Sequence, residues 1–334
     1  MKTGLTLGKF APLHKGHQFV IETALKAVDR LIVLIYDCPD IETLPLPVRA
    51  EWIRKLYPSV MVMEAWDGPT ETGLDLRITQ MHDEYLLRIL SGQKITHFFS
   101  SEAYGEHVSF ALNAKHCLVD FDRKQIPISG TVIRANPFAH RSQMDPLVYS
   151  DHITKVVFLG APSTGKSTIA EALASRYASV MMPEYGREYW ESHQIERRLS
   201  QPQLVEIATG HLQREDTLLM NANQYLFIDT DASTTLQFAR YYHGYANEAL
   251  VQMADKAKSR YDLFFLCEPD IPYDDSWDRS GEASRNEMHR RIEADLLARK
   301  VPFVRLAGAL EDRMSKVDTV LKSHTLFQPA FRTS

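Results

Sequence analysis

The sequence predicts an α/β protein built from two doubly wound domains, each with a parallel sheet. Three observations lead to this prediction. Short apolar runs of strand length alternate with stretches that carry apolar residues at helical spacing. The runs are continuous and not alternating, which is typical of parallel strands covered by helices on both faces. The alternation stops in a polar stretch and restarts at residue 155, which indicates a second domain.

The first half of the chain contains apolar runs and amphipathic stretches in regular succession. Strands are predicted at residues 5–10, 31–36, 60–64 and 96–101, and helices near residues 18–28, 48–57 and 76–90. The stretch 136–152 has two prolines, several polar residues and little periodicity. We therefore expect a first domain at residues 1–140 and a linker at residues 141–153.

The second half repeats the same succession. Strands are predicted at residues 155–160, 180–182, 225–229, 262–268 and 302–306, and the first helix at residues 168–177. This domain is expected to cover residues 154–330. The two halves thus predict two separate sheets.

Composition excludes several classes of protein. The chain has 334 residues with 44% hydrophobic and 24% charged residues, and its net charge is -5 without a basic tail, which argues against nucleic-acid binding. No apolar stretch approaches the roughly 20 residues of a membrane span. Its three cysteines, Cys38, Cys117 and Cys267, are too far apart to indicate a disulfide framework or a zinc site. We expect a cytoplasmic protein.

A phosphate-binding loop opens the second domain. The segment from Gly160 to Ser167 matches G-x-x-x-x-G-K-[ST] at every fixed position, and it lies between a predicted strand and a predicted helix. Lys166 is expected to reach the β- and γ-phosphates of ATP, and Ser167 to bind Mg²⁺. The other predicted ATP contacts of this loop are Gly160, Ser163, Thr164, Gly165 and Thr168.

Two carboxylates follow buried strands of this domain. Asp229 ends an apolar strand and is, after Ser167, the second candidate ligand for Mg²⁺. Asp231, two residues later, is explained as well by a role as a helix cap. Glu184 follows the strand at residues 180–182, at the edge of the sheet where substrates bind. It is a candidate for holding or activating an acceptor hydroxyl.

A polar, turn-rich segment at residues 272–279 resembles a mobile lid. Arg279 and Arg285 are candidates for contacting the transferred phosphate, although exposed arginines are common. Trp277 is a candidate for stacking on an aromatic base, although partly exposed tryptophans are also common.

Two histidines lie in the turn after the first strand. His14 and His17 flank Lys15 and Gly16 and form a cluster of donors without a nucleophile. Such a cluster suits an attack of one phosphate on another, in which the protein positions the reactants and neutralises charge. No further ligand at suitable spacing supports a metal site, so we prefer the phosphate role.

These residues resemble the H-x-G-H signature of the adenylyltransferase superfamily. The segment from Ile128 to Arg134 resembles the second signature of the superfamily, I-S-x-x-x-[IL]-R. The resemblance implies that His14 and His17 contact the ATP phosphates and that Ser129 and Arg134 hold the triphosphate. It also places Gly8, Lys9 and Phe10 in the ATP site.

An adenylyltransferase followed by a phosphate-loop kinase resembles the NadR family over almost the whole chain. His14 favours the nicotinamide mononucleotide branch, because the phosphopantetheine branch usually has threonine there. The resemblance implies phosphorylation of nicotinamide riboside by ATP and adenylation of the mononucleotide to NAD. We assign the riboside site to Glu184, Asp229 and Trp277. The loop at residues 100–105 resembles the adenine-side loop of the family. Since seven residues precede Gly8, we expect no helix-turn-helix repressor domain.

Two alternatives stay open at this point. The kinase could act on another nucleoside, because no residue of the sequence identifies the nicotinamide ring. One domain could instead bind ATP or NAD as a sensor, although His14, His17, Arg134, Lys166 and Ser167 are all intact. The sequence leaves the formation of a homo-oligomer open.

Overall fold

The computed structural model describes residues 1–38, 44–73, 75–195, 198–273 and 282–327. The chain divides into two compact units, Met1–Tyr149 and Ser150–Leu326. The boundary falls inside the stretch predicted as a linker. That stretch contains a 3-10 helix at Arg141–Gln143 and a helix, α6, at Pro146–Ser150, so it has more regular structure than its sequence indicated. Within the described ranges, no helix has both the length and the apolar character that crossing a membrane requires.

The first unit has a five-stranded sheet in the order β3-β2-β1-β4-β5, and every neighbouring pair is parallel. Its strands are β1 (Thr3–Gly8), β2 (Arg30–Tyr36), β3 (Met61–Ala65), β4 (His97–Ser100) and β5 (Lys115–Leu118). Its helices are α1 (Lys15–Ala27), α2 (Leu46–Leu56), α3 (Leu76–Ile89), α4 (Gly105–Ala111) and α5 (Gly130–Ala135).

Two details of this sheet differ from the prediction. Strand β1 ends at Gly8 and not at residue 10, because Phe10 has a positive φ of 46° and already belongs to the turn. Strand β5 was missed. Within the described ranges it is an edge strand that pairs with β4 alone, and its half-exposed sequence, KHCL, lacks the continuous apolar run that marks a strand covered on both faces.

The second unit has a five-stranded sheet in the order β10-β9-β6-β8-β7, again parallel throughout. Its strands are β6 (Thr154–Leu159), β7 (Val180–Met182), β8 (Tyr225–Asp229), β9 (Leu263–Cys267) and β10 (Val304–Leu306). Its helices are α7 (Lys166–Arg176), α8 (Tyr185–His193), α9 (Gln201–Leu219), α10 (Ala232–His243), α11 (Glu248–Arg260), α12 (Glu282–Ala298) and α13 (Leu310–Ser323). The predicted fold class, two parallel-sheet α/β domains, is confirmed.

Each unit buries its own apolar core. In the first unit, Leu5, Ile32 and Phe98 from three strands pack with Leu86 of α3. In the second unit, Phe158, Phe227 and Phe265 of adjacent strands stack on one face of the sheet, under α7 and α13. Burial of each such side chain contributes about 1.5–3 kcal/mol to stability. The central strands are therefore rigid supports for the loops at their carboxyl ends.

Candidate functional site

The phosphate-binding loop of the second unit connects β6 to α7. Gly160 has φ +142°, and a Cβ added there would lie 2.7 Å from the carbonyl oxygen of Cys267 on β9. Gly165 is the left-handed N-cap of α7, with φ 80°. Only glycine fits both requirements. The loop therefore wraps around the N-terminus of α7, where a helix favours phosphate.

Ser167 and Asp229 meet where β6 and β8 end side by side. The hydroxyl of Ser167 donates a 2.5 Å hydrogen bond to Oδ2 of Asp229, whereas Oδ1 of Asp229 is buried without a hydrogen-bond partner among the described residues. Burial raises the pKa of Asp229 to about 6; the charge of Lys166 opposes this shift and that of Glu184 adds to it. Nζ of Lys166 lies 2.9 Å from the carbonyl oxygen of Ala161, to which it donates.

A cavity of about 770 Å³ extends from this loop. It is lined by every residue of the loop that the sequence predicted to contact ATP, and by Glu184, which precedes α8. Asp229 is buried beside Ser167 and does not itself line the cavity. Asp231 lines the cavity and also caps α10, since its Oδ1 accepts from the amides of Ser233 and Thr234 at 2.9 and 3.2 Å.

Of the two arginines predicted for the lid, the structure describes Arg285 but not Arg279. Arg285 on α12 is buried, and its Nη2 donates at 2.9 Å to the carbonyls of both Ser163 and Ile271, so it holds the backbone of the phosphate-binding loop. Its predicted contact with the transferred phosphate stays a prediction. Arg279 and Trp277 lie outside the described residues.

Arg313 on α13 also holds this loop, and sequence reasoning missed it. Its Nη1 donates to the carbonyl of Thr164 at 2.7 Å and its Nε to that of Gly308 at 2.9 Å, while Nη2 pairs with Asp270. A visible signal existed, because Arg313 interrupts the apolar spacing of Met314, Val317 and Leu321 on the buried side of α13.

The histidines of the first unit lie at the start of α1. His14 is the N-cap, and its Nδ1 accepts from the amide of Gly16 at 3.1 Å. The rings of His14 and His17 stack with their centroids 3.7 Å apart. A Cβ at Gly16 would lie 2.9 Å from Cε1 of His14, so the H-x-G-H spacing requires glycine here.

Both histidines are neutral at pH 7. Burial lowers the pKa of His14 to about 4, and the positive charges of Arg123 and Arg134 contribute. Burial, together with the neighbouring His14, lowers the pKa of His17 well below its usual value. Each ring therefore acts as a neutral imidazole with one N–H donor, beside fixed positive charge on the two arginines.

Two residues of the second adenylyltransferase signature, Ser129 and Arg134, line the same cavity as His14 and His17. Arg134 donates from Nη1 to the carbonyl of Ala11 at 2.5 Å and from Nη2 to the hydroxyl of Thr131 at 3.1 Å. Ser129 caps α5 by accepting from the amide of Val132 at 3.4 Å. A cavity of about 630 Å³ is lined by all the residues predicted for this ATP site: Gly8, Lys9, Phe10, His14, His17, Ser129 and Arg134.

Arg49 on α2 supports this cavity and was also missed. It is fully buried and donates from Nη1 to the carbonyl oxygens of Lys9 and Tyr36, the latter at 2.9 Å, so it ties the turn after β1 to the end of β2. A charged residue among the apolar positions Leu46, Ala50 and Ile53 of one helix was the available signal.

Comparison with known proteins agrees with the division of the chain into two units. Residues 5–136 match a cytidylyltransferase-like domain model, and residues 155–313 match an AAA domain model. The trifunctional NAD biosynthesis/regulator protein NadR of Salmonella typhimurium is 30% identical over 81% of this chain and 70% of its own length. The chain belongs to the NadR family. NadR of Escherichia coli K12 is 29% identical over 91% of this chain and 78% of its own length.

Crystal structures of NadR show the same fold. One is a complex with NAD and AMP-PNP and another is a complex with NR. Each has a TM-score of 0.56 and 23% identity, and covers 100% of this chain and 98% of its own. The chain therefore has the fold of the NadR structures.

We expect the neutral state of His14 to make the protein less stable in acid. The pKa of His14 is about 4 in the folded chain against 6.5 normally, so between these values only the unfolded chain binds the proton. Stability is lost as pH falls through this window, by about 2 kcal/mol from pH 7 to pH 5. The variant His14→Asn keeps an N-cap acceptor. Urea denaturation at these two pH values should show that its free energy of unfolding falls less than that of the wild-type protein. An equal loss in both proteins would contradict a buried neutral His14.

Arg313→Met should weaken the phosphate-binding loop. The buried carbonyl of Thr164 loses its donor, which costs about 1–3 kcal/mol of unfolding free energy and leaves the loop free to shift. We expect weaker binding of a non-hydrolysable ATP analogue, by about tenfold, measured by calorimetry. The matched control is Arg305→Met, whose half-exposed ion pairs with Glu268 and Glu293 should contribute little. Unchanged binding in Arg313→Met would refute this role.

Proposed function

We propose that this chain makes NAD in two steps from nicotinamide riboside. The second unit phosphorylates the riboside with ATP to give nicotinamide mononucleotide, and the first unit adenylates the mononucleotide with a second ATP to give NAD and pyrophosphate. The observation that carries the proposal is that one NadR-family chain has two separate cavities, each lined by a complete phosphate-binding motif. We further propose that it works in the cytoplasm, in keeping with its free cysteines.

The kinase step is assigned to the cavity beside the phosphate-binding loop. ATP would lie with its triphosphate on the loop, so that Lys166 neutralises charge on the β- and γ-phosphates. Glu184 lines the same cavity and would hold the acceptor hydroxyl of the riboside. Of the other riboside contacts that we propose, Asp229 lies next to the loop, and Trp277 rests on the sequence alone.

The adenylation step is assigned to the cavity of the first unit. A phosphate oxygen of the mononucleotide attacks the α-phosphorus of ATP, the bond to the bridging oxygen breaks, and pyrophosphate leaves with the electron pair. Neutral His14 and His17 would donate hydrogen bonds to the phosphates, and Arg134 would supply positive charge. No covalent intermediate is needed, in agreement with a cavity motif that has donors but no nucleophile.

Mg²⁺ fits the second unit. Oδ1 of Asp229 is a buried carboxylate oxygen with no hydrogen-bond partner in the part of the chain that the structure describes, and the Ser167 hydroxyl lies against the other oxygen of the same carboxylate. Oxygen ligands of this kind, completed by water and phosphate, are those that Mg²⁺ prefers. Ser167 and Asp229 would hold the ion, which when bound would neutralise charge on the phosphates of ATP.

The proposal is tested by product formation from each substrate. Purified protein with ATP and Mg²⁺ should convert both nicotinamide riboside and nicotinamide mononucleotide to NAD, detected by chromatography. Lys166→Ala should lose NAD formation from the riboside alone, and His17→Ala from both substrates, each by about 100-fold or more. NAD from the mononucleotide but not from the riboside would indicate another acceptor, or a sensor, in the second unit. No NAD from either would refute the assignment.

The substitution Asp229→Asn should test the Mg²⁺ site independently of the other parts of the kinase site. The amide keeps the size of the side chain but removes its charge, so Mg²⁺ binds more weakly. We expect kinase kcat to fall by about 100-fold or more at 1 mM Mg²⁺ and to recover partly when Mg²⁺ is raised. Adenylation of the mononucleotide by the same sample is the internal control, because Asp229 belongs to the other unit. An unchanged dependence of the kinase on Mg²⁺ would exclude Asp229 as a ligand.

A further inference from the structure

The cavity of the second unit contains a histidine to which the proposed function assigns no role. His211 lies on α9, on the face formed with Leu204 and Ile207, and all three residues line the cavity. Its side chain is only 6% exposed. An imidazole is an unusual neighbour for two aliphatic side chains in a pocket wall, because burying a polar ring costs free energy unless a partner compensates for it.

The side chain of His211 contacts a buried carboxylate, that of Glu215. Nε2 of His211 lies 3.1 Å from Oε1 of Glu215, one helical turn further on, although the alignment is poor for a straight hydrogen bond. Glu215 is 1% exposed. Tyr261 donates to its Oε1 and Arg260 to its Oε2, both at 2.7 Å. Burial favours the protonated acid, but the neighbouring His211 and the charge of Arg260 outweigh it, so the pKa of Glu215 lies below its usual value.

This arrangement determines which ring nitrogen of His211 can accept a hydrogen bond. A carboxylate beside Nε2 favours the tautomer with the hydrogen on Nε2, which leaves Nδ1 with a lone pair as an acceptor. A buried ion pair such as Glu215 with Arg260 is weak evidence for stability, because apolar residues could replace it at little cost. Because Glu215 contacts a histidine that lines the cavity, we interpret the ion pair as holding the His211 ring in one orientation.

His211 lines the same cavity as Ser167 and Glu184, and it is close enough to Asp229 for the two side chains to interact electrostatically. Asp229 in turn meets the phosphate-binding loop through Ser167. By contrast, His243 lines the cavity too, but its Nε2 is engaged with the carbonyl of Leu199 at 2.9 Å. The two histidines therefore provide a matched pair in one pocket.

We propose that His211, in place of Glu184, binds the hydroxyl of the acceptor nucleoside that receives the phosphate, and that Glu215 is a positioning residue for His211. Glu184 then contacts another hydroxyl of the riboside in the same cavity. Nδ1 accepts the hydroxyl hydrogen and aims the oxygen at the γ-phosphorus. As the new bond from oxygen to phosphorus forms, the bond to the bridging oxygen breaks and its electron pair leaves with ADP. The hydroxyl proton passes to Nδ1, and the carboxylate of Glu215 stabilises the imidazolium. This inference rests on the proposed kinase activity.

The decisive measurement compares two acceptors, nicotinamide riboside and its 5′-deoxy analogue, which lacks the receiving hydroxyl. In the wild-type chain with a non-hydrolysable ATP analogue bound, the riboside should bind about tenfold more tightly than the 5′-deoxy compound. In His211→Leu the ratio should fall to about one, whereas His243→Leu should keep the wild-type ratio, whatever it does to the two affinities. A ratio that survives in His211→Leu, or that is lost only in Glu184→Gln, would overturn the inference.

A kinetic comparison tests the role of Glu215. Glu215→Gln should lower kinase kcat by about 10-fold or more with little change in KM for ATP. The matched control is Asp216→Asn, because Asp216 accepts from Nη2 of the same Arg260 at 2.8 Å but is largely exposed. Equal effects of the two variants on kcat and melting temperature would show that the cluster only holds α9 to Arg260, and would overturn the positioning role.

The outcome for wild-type protein separates this inference from the proposed function. Phosphorylation of the riboside by the wild-type chain, together with an unaffected His211→Leu ratio, removes the role of His211 and leaves the proposed kinase intact. If the wild-type chain neither binds nor phosphorylates the riboside, the proposed kinase function fails first and this inference falls with it.

Discussion

Both cavities depend on one constraint, the parallel pairing of every strand in each sheet. Parallel strands bring their carboxyl ends to the same edge, so loops that are far apart in sequence meet there. The turn after β1 reaches the loop after β4 in the first unit, and the loop after β6 reaches the end of β8 in the second. The contact of Ser167 with Asp229 follows directly, since β6 and β8 are neighbours in register.

Glycine-rich turns leave carbonyl groups without partners, and this protein satisfies them with buried arginines. Arg49 bonds the carbonyl of Lys9 in the first unit, and Arg285 and Arg313 bond those of Ser163 and Thr164 in the second. A guanidinium has five donors in a rigid plane, so one side chain can hold several carbonyls at fixed angles. Substrate phosphates thus meet loops whose shape is fixed in advance, which lowers the cost of ordering them on binding.

The main part of the fold could be predicted because its central strands are continuous apolar runs. Strands β2, β6 and β8 have sequences such as LIVLIY, KVVFL and YLFID, and burial on both faces leaves no other pattern for them. The edge strand β5 escaped prediction because one open side permits polar residues. Strand order was equally hidden, since the pairing of β6 with β8 and not with β7 depends on contacts between distant segments.

The sequence by itself determined the two phosphate-binding motifs and the family, because glycine and histidine spacing in a single turn is a local property. Every motif residue named from the sequence for the two ATP sites lines one of the cavities. Only the tertiary structure decided the partners that act across the chain, such as Arg313 under Thr164. It alone decided that His14 is buried and His17 half-buried, that both are neutral, and that Glu215 lies beside His211. Burial and the approach of distant charges set these properties, and neither is encoded in the spacing of neighbouring residues.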